Sequence, residues 1–284
     1  PQLELNIDLL TGSTSKVRRK QILNDLINGS TNILVGTHAL FEDPVVFDRL
    51  GLVVVDEQHR FGVKQRNRLL NKGIQPHLLT MTATPIPRTL ALTLHGDLDV
   101  SQLDELPPGR TPINTKLISP KDKKYAYDLI RSEVSKGHQI YVVLPLIEES
   151  EKLELSAAID VHHQLSTEIF ADFNVDLLHG KMKSAQKQKV IQNFLNKKID
   201  ILVSTTVIEV GVDVPNASVM LIEDSDRFGL AQLHQLRGRV GRGASKSYCL
   251  LSHQNKNKLS RQRLEVLVNS NDGFEISEID LRFR

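Results

Sequence analysis

The chain has 284 residues, of which 40% are hydrophobic, more than one ordinary domain and enough apolar residues for two cores. A formal net charge of +2 does not by itself announce a nucleic-acid binder, so any such surface has to be local. No apolar run reaches the roughly 18 residues of a membrane span, and no secretory signal opens the chain. The single Cys249 can close no internal disulfide and fits no zinc spacing, as in a reducing cytosol.

In chain order, the pattern is helix and strand in alternation. Val17, Ile22, Leu23, Leu26 and Ile27 are expected to share one helical face, and Val161, Leu165, Ile169 and Phe173 another. Short β-branched runs at Ile33–Val35, Leu52–Val55, Ile140–Leu144, Ile201–Val203 and Val219–Ile222 are too brief for buried helices and read as buried parallel strands. The expectation is an α/β protein with two parallel-sheet domains in tandem. Pro107-Pro108-Gly109-Arg110-Thr111-Pro112 can continue neither a helix nor a central strand, and sets the expected boundary. The first domain is then 1–106, the linker 107–112 and the second domain 113–253. A tail at 254–284 should hold a helix near Arg261–Val268. The chain opens on Pro1 and stops at Arg284, and both ends are read as cuts through a longer protein.

Leu52–Val55 runs straight into Asp56-Glu57-Gln58-His59. In open parallel sheets, ligands bind beyond the carboxyl ends of strands. Two successive carboxylates there face opposite ways, which suits phosphoryl transfer. Asp56 would hold Mg²⁺ through water, Glu57 would orient or deprotonate the attacking water, and His59 would sense the nucleotide. A bare Asp-Glu is equally compatible with a solvated strand end. A metal hydrolase built from Asp56, His38, His59 and His179 is a further alternative, although those residues lack a close fixed spacing.

The surrounding series carries a resemblance. Asp56 to Val63 (DEQHRFGV) resembles helicase motif II, and Thr82 to Leu90 (TATPIPRTL) resembles motif III, in the forms shared by the RecG family and the transcription-repair coupling factors. Ser204 to Pro215 (STTVIEVGVDVP) is similar to motif V, and Phe228 to Arg242 (FGLAQLHQLRGRVGR) to motif VI. Gly96 to Ser101, Asp104 to Arg110, and Tyr141 to Ser150 look like RecG rather than the coupling factor. The resemblance implies a superfamily 2 DNA helicase in which two RecA-like domains close over ATP and Mg²⁺. The first of these domains is incomplete here at its N-terminal side. The tail would begin the family's C-terminal translocation hairpin.

The resemblance also implies roles. Arg239 and Arg242, three apart and so expected on one helical face, would meet the γ-phosphate with planar, permanently charged forks. Gln235 would reach the phosphate or the attacking water. Thr82 and Thr84 would couple the ATP site to DNA, and Gly211 and Asp213 would approach the nucleotide. Hydroxyls and free amides after apolar strands suit backbone-reading DNA contacts, which nominates Thr11, Gly12, Ser13, Thr37, His38, His179, Thr205 and Thr206. The lysines at 181, 183, 187 and 189 are as readily ordinary solvated surface.

Gly-x-x-x-x-Gly-Lys-Ser/Thr, the loop that cradles phosphates in this family, does not occur in these residues. The expected activity is an ATP-driven helicase or translocase on replication forks and Holliday junctions in recombination and repair. The resemblance further implies a monomeric protein, bacterial in type, cytoplasmic and nucleoid-associated. The alternatives are a coupling-factor motor and a non-catalytic nucleic-acid-binding scaffold that has lost its phosphate loop.

Overall fold

A computed structural model of the chain describes residues 4–57, 61–83, 99–103, 105, 110–145, 151–205, 214–243, 245–254 and 257–283. The chain divides into two compact units, Pro1–Ala83 and Thr84–Arg284.

The first unit holds two parallel strand pairs. β1 (Ile7–Leu10) pairs with β2 (Ile33–Gly36), and β3 (Leu52–Val55) pairs with β4 (His77–Thr80). Helix α1 (Lys16–Ile27) starts at Ser15, whose hydroxyl accepts from the Arg18 amide at 3.4 Å, an N-terminal cap for otherwise orphaned donors. It buries Ile22 and Leu26 beside Leu10, Ala39 and Val45. Val17 and Ile27 do not join that face: they are 82% and 52% exposed. The helical period explains the correction. Ile22 and Leu26 are one turn apart, whereas Val17 is five residues before Ile22 and Ile27 one step past Leu26, so both rotate away from the core. Helix α2 (Val63–Leu70) contributes Leu69 to a second cluster with Phe41, Val53 and Val55.

Each strand of this unit is covered on one side only. Ile7 and Leu9 on β1, Ile33 and Val35 on β2, Leu52 and Val54 on β3 and Leu79 on β4 are all exposed. The register sets Ile7 beside Ile33 and Leu9 beside Val35, so these side chains form continuous apolar strips.

The second unit is a six-stranded, all-parallel sheet in the order β5-β10-β9-β6-β8-β7. Its strands are β5 (Asn114–Ile118), β6 (Gln139–Val143), β7 (Val175–Leu178), β8 (Ile201–Ser204), β9 (Ala217–Ile222) and β10 (Tyr248–Ser252). The central strands β6, β8 and β9 are buried along their whole length, as near-continuous apolar runs require when helices cover both faces. Helices α3 (Lys123–Ser135) and α4 (Glu151–Gln164) cover one face through Ala126, Ile130 and Ala158. Leu165 and Phe170 follow α4 into that core, with Val161, Ile169 and Phe173 packed against it.

The opposite face is covered by α5 (Ser184–Leu195), α6 (Leu230–Arg237), α7 (Lys258–Asn269) and α8 (Gly273–Arg282). Phe194, Leu230, Leu233, Leu236, Leu264, Leu267 and Ile276 belong to a single core there. The expected helix near Arg261–Val268 is α7. The two C-terminal helices are therefore packed into the second unit.

Candidate functional site

Parallel pairing brings strand ends together. The Met81 amide donates to the Val55 carbonyl at 2.8 Å, so the segments following β3 and β4 leave the sheet side by side. Asp56 is exposed and Glu57 half-buried. The Asp56 carboxylate accepts from the Glu57 amide at 2.9 Å, and the Glu57 carboxylate stands 3.5 Å from the Ala83 amide. Glu57 has φ +49°, a left-handed backbone that is uncommon outside glycine and clusters at functional sites. Half-buried Thr82 precedes Ala83, so this carboxyl end gathers Asp56, Glu57 and Thr82. His59 and Thr84 lie outside the described residues.

β1 and β2 release the next group at their carboxyl ends. Thr11, Gly12 and Ser13 form a tight hydroxyl turn: the Thr11 and Ser13 hydroxyls are 3.0 Å apart, and the Thr11 amide donates to the Thr14 hydroxyl at 2.9 Å. Thr37 and His38 are exposed. Gly36 before them admits no side chain, because a Cβ would lie 2.2 Å from the Leu10 carbonyl oxygen. The His38 ring packs on Phe61 with centroids 5.1 Å apart, which ties the loop after β2 to the segment that follows the acidic pair.

In the second unit, His179 and Thr205 follow the neighbouring strands β7 and β8, and the Thr205 amide donates to the Leu178 carbonyl at 3.3 Å. His179 is half-buried, whereas Thr205 is only 2% exposed. Thr206, Gly211 and Asp213 lie outside the described residues.

The basic segment differs from expectation. Gln235 lies on α6, but that helix ends at Arg237 with Gly238 as its C-cap, so Arg239 and Arg242 do not share a helical face. Gly238 has little hold on the helix, Gly241 turns the chain at φ +75°, and buried Val240 anchors the turn. Both arginines are half-buried in this turn. The Arg242 Nε donates back to the Gly238 carbonyl at 3.3 Å.

Sequence reasoning missed Arg237, which is 2% exposed. Its guanidinium donates to the carbonyls of Leu267 at 2.7 Å and Ser270 at 2.9 Å, and to His234 Nδ1 at 3.0 Å. Burial and the neighbouring Arg237 charge push His234 down to about 4, so its ring is a neutral acceptor. The available signal was position: Arg237 follows Leu230 and Leu233 at core-facing helical spacing.

Asp56 offers the hard oxygen donor that a largely hydrated Mg²⁺ accepts. No group of three or more His, Cys, Asp or Glu suited to enclosing a metal occurs among the described residues.

Residues 2–93 match the DEAD/DEAH box helicase family and residues 122–244 the helicase conserved C-terminal domain. Two such regions in tandem, on parallel α/β sheets, define a superfamily 2 helicase motor of two RecA-like domains. The chain is 60% identical over 282 residues to the ATP-dependent DNA helicase RecG of Synechocystis sp., covering 99% of this chain and 34% of that protein. It is 50% identical over 281 residues to RecG of Bacillus subtilis, covering 99% of this chain and 41% of the relative. A solved structure of RecG bound to a three-way DNA junction superposes with a TM-score of 0.79 at 43% identity, covering 100% of this chain and 37% of that one. Over nearly its whole length the chain is homologous to RecG helicases.

Saccharomyces cerevisiae Dbp5 bound to RNA and ADP BeF3 shares the fold at 14% identity, with a TM-score of 0.64 over 99% of this chain and 74% of its own. The chain spans about a third to two-fifths of the length of the RecG relatives named above. No helix among the described residues is long and apolar enough to cross a membrane.

Proposed function

We propose that this chain is the greater part of the motor of an ATP-dependent DNA helicase or translocase that acts on replication forks and Holliday junctions in recombination and repair. The observation that carries the reading is the convergence of Asp56, Glu57 and Thr82 at the carboxyl ends of β3 and β4, with Glu57 3.5 Å from the Ala83 amide.

In this reading Asp56 holds Mg²⁺ through water, and the ion supplies charge neutralisation on the phosphates when bound. Glu57 orients the attacking water and accepts its proton. A shift of its carboxylate is felt at Ala83, which links hydrolysis to Thr82 and the segment after it. Arg239 and Arg242 offer forked donors to the γ-phosphate, and Gln235 assists at the water. His59, Gly211 and Asp213 line the nucleotide, and Thr84 shares the coupling role of Thr82. Thr11, Gly12, Ser13, Thr37, His38, His179 and Thr206 serve the DNA backbone, giving binding that is indifferent to base order and sensitive to salt, whereas the side chain of Thr205, expected among them, is buried at 2% exposure.

The domain reading is that 1–106 belongs to the first RecA-like domain, 107–112 to the linker, 113–253 to the second domain and 254–284 to the start of the translocation region. The apolar strips on β1–β4 support a first domain that is completed by further chain of the parent protein. The reading also places a monomeric protein in a bacterial cytoplasm, at the nucleoid. It is tested on the parent protein by ATP hydrolysis with and without a three-way junction and by unwinding of a labelled fork. A parent protein that hydrolyses ATP no faster with junction DNA, and leaves the fork intact, would overturn it.

A further inference from the structure

At the amino ends of β6, β9 and β10 lies a polar cluster remote from the strand ends that carry His179 and Thr205. Its centre is Glu133, 3% exposed near the end of α3. Its carboxylate accepts from Lys136 Nζ at 2.6 Å, His138 Nδ1 at 2.7 Å and the Ser218 hydroxyl at 3.0 Å. Burial alone would raise this carboxyl, but the bonds from Lys136, His138 and Ser218 outweigh it and hold it below the usual range. A carboxylate only accepts, so His138 Nδ1 carries the proton, and Nε2 is hydrogen-bonded to the Ser245 hydroxyl, 3.2 Å away.

One imidazole thus joins three segments: the turn after α3, the start of β9 through Glu133 and Ser218, and the loop before β10 through Ser245. The last two adjoin the segments read above as motifs V and VI. They meet in a second place as well. A Cβ on Gly243 would lie 2.5 Å from the Pro215 carbonyl oxygen, so these backbones touch. Asn216 fastens the same corner, donating to the Gly137 carbonyl at 2.9 Å. Beside the contact is a cavity of about 420 Å³ lined by His138, Pro215, Asn216, Ser218, Gly243 and Ser245 among others, room into which the loops can relax.

We propose that His138 is a positioning residue: by bridging Glu133 and Ser245 it holds the loop that follows Arg242 against Pro215, and so fixes where Arg239 and Arg242 stand. Its bearing on turnover rests on the function proposed above, whereas its bearing on loop order does not.

The experiment uses His138→Ala, Ser245→Ala and Ser245→Thr, each in the present chain and in the parent protein. Amide hydrogen exchange of 214–218 and 238–247 should accelerate about 10-fold in both alanine variants, the scale of one lost hydrogen bond, and stay at the wild-type rate in Ser245→Thr. In the parent protein, kcat for ATP should fall about 10-fold with KM within about 2-fold, again spared in Ser245→Thr. Unchanged exchange in both alanine variants overturns the proposal. So does a loss of kcat that follows a general fall in Tm and is not spared by threonine. A wild-type parent without DNA-stimulated hydrolysis would sink the proposed function alone, since the exchange rates still decide the role of His138.

Discussion

The Glu57 carboxylate stands 3.5 Å from the backbone amide of Ala83, so the acid after β3 and the Thr82 segment after β4 are one weak hydrogen bond apart. In the role proposed for Glu57, a carboxylate that takes a proton during turnover loses strength as an acceptor, and this bond would register the change. Glu57→Gln keeps the shape and an acceptor oxygen but cannot take the proton. In the parent protein it should lower kcat for ATP by roughly 10²-fold or more while fluorescent-ATP binding stays measurable. Hydrolysis at the wild-type rate would remove Glu57 from this role.

Arg237 and Arg242 should separate by experiment. Arg242 sits half-buried in a turn, its Nε bonded to the Gly238 carbonyl of the same turn. Arg242→Ala should leave the melting transition nearly in place and slow hydrolysis by roughly 10³-fold, as removal of a phosphate-facing arginine does. Arg237 is instead a buried strut between α6 and the end of α7. Arg237→Ala leaves two carbonyls without their donor and should cost about 2–4 kcal/mol of stability, read by urea denaturation. If Arg242→Ala collapses the melt and Arg237→Ala does not, the assignments are reversed.

Stability should fall in mild acid. His234 is held down to about 4 by burial and by Arg237, below the roughly 6.5 of an unfolded histidine. The unfolded chain therefore binds a proton that the folded chain refuses. Its contribution is intact above about pH 6.5 and is lost progressively as the pH falls towards 4. The loss is at most about 3 kcal/mol. Urea midpoints at pH 7.5 and 5 should show it in the wild type, and show less of it in His234→Asn, which keeps an acceptor for Arg237. Equal losses in both proteins would assign the acid sensitivity elsewhere.

The core of the second unit was legible because strands buried on both faces must be short apolar runs, and Ile201–Val203 or Val219–Ile222 permit little else. The acidic pair was legible because Asp56 and Glu57 interrupt such a run at its end. Two things were not. The ending of α6 was misjudged because spacing alone put Arg239 and Arg242 on a helix, while Gly238 stops the helix first. The strut was invisible because the acceptors of Arg237 lie 30 and 33 residues further along the chain, and no local pattern announces a backbone carbonyl. His138 was hidden for the same reason, its partner Ser245 being 107 residues away.

Cys249 offers a probe of the second unit. It lies in β10 at 1% exposure, and burial pushes its thiol up to about 12, so almost no thiolate exists at neutral pH. The folded chain should resist iodoacetamide, and labelling should rise in step with urea-induced loss of helical signal. Rapid labelling of the folded protein would mean that β10 opens locally.

The 284 residues by themselves should be poor ATPases. They contain no Gly-x-x-x-x-Gly-Lys-Ser/Thr, and loss of even one preorganised donor at such a site costs roughly 10²–10³-fold. Losing a whole phosphate cradle should cost at least as much. The first unit also leaves Ile7, Leu9, Val35, Leu52, Val54 and Leu79 at 50% exposure or more, an apolar surface that invites self-association. The isolated chain should bind a hydrophobic dye, sediment with concentration-dependent mass, and hydrolyse ATP at least about 10²-fold more slowly than the parent protein. If, as proposed, the parent protein completes the first domain, adding that further chain in the same polypeptide should quench the dye and raise the rate together, because one structural completion would supply both the cover and the phosphate cradle. Full-length rates from the 284 residues alone, with junction DNA present, would show that they hold a phosphate site of another kind.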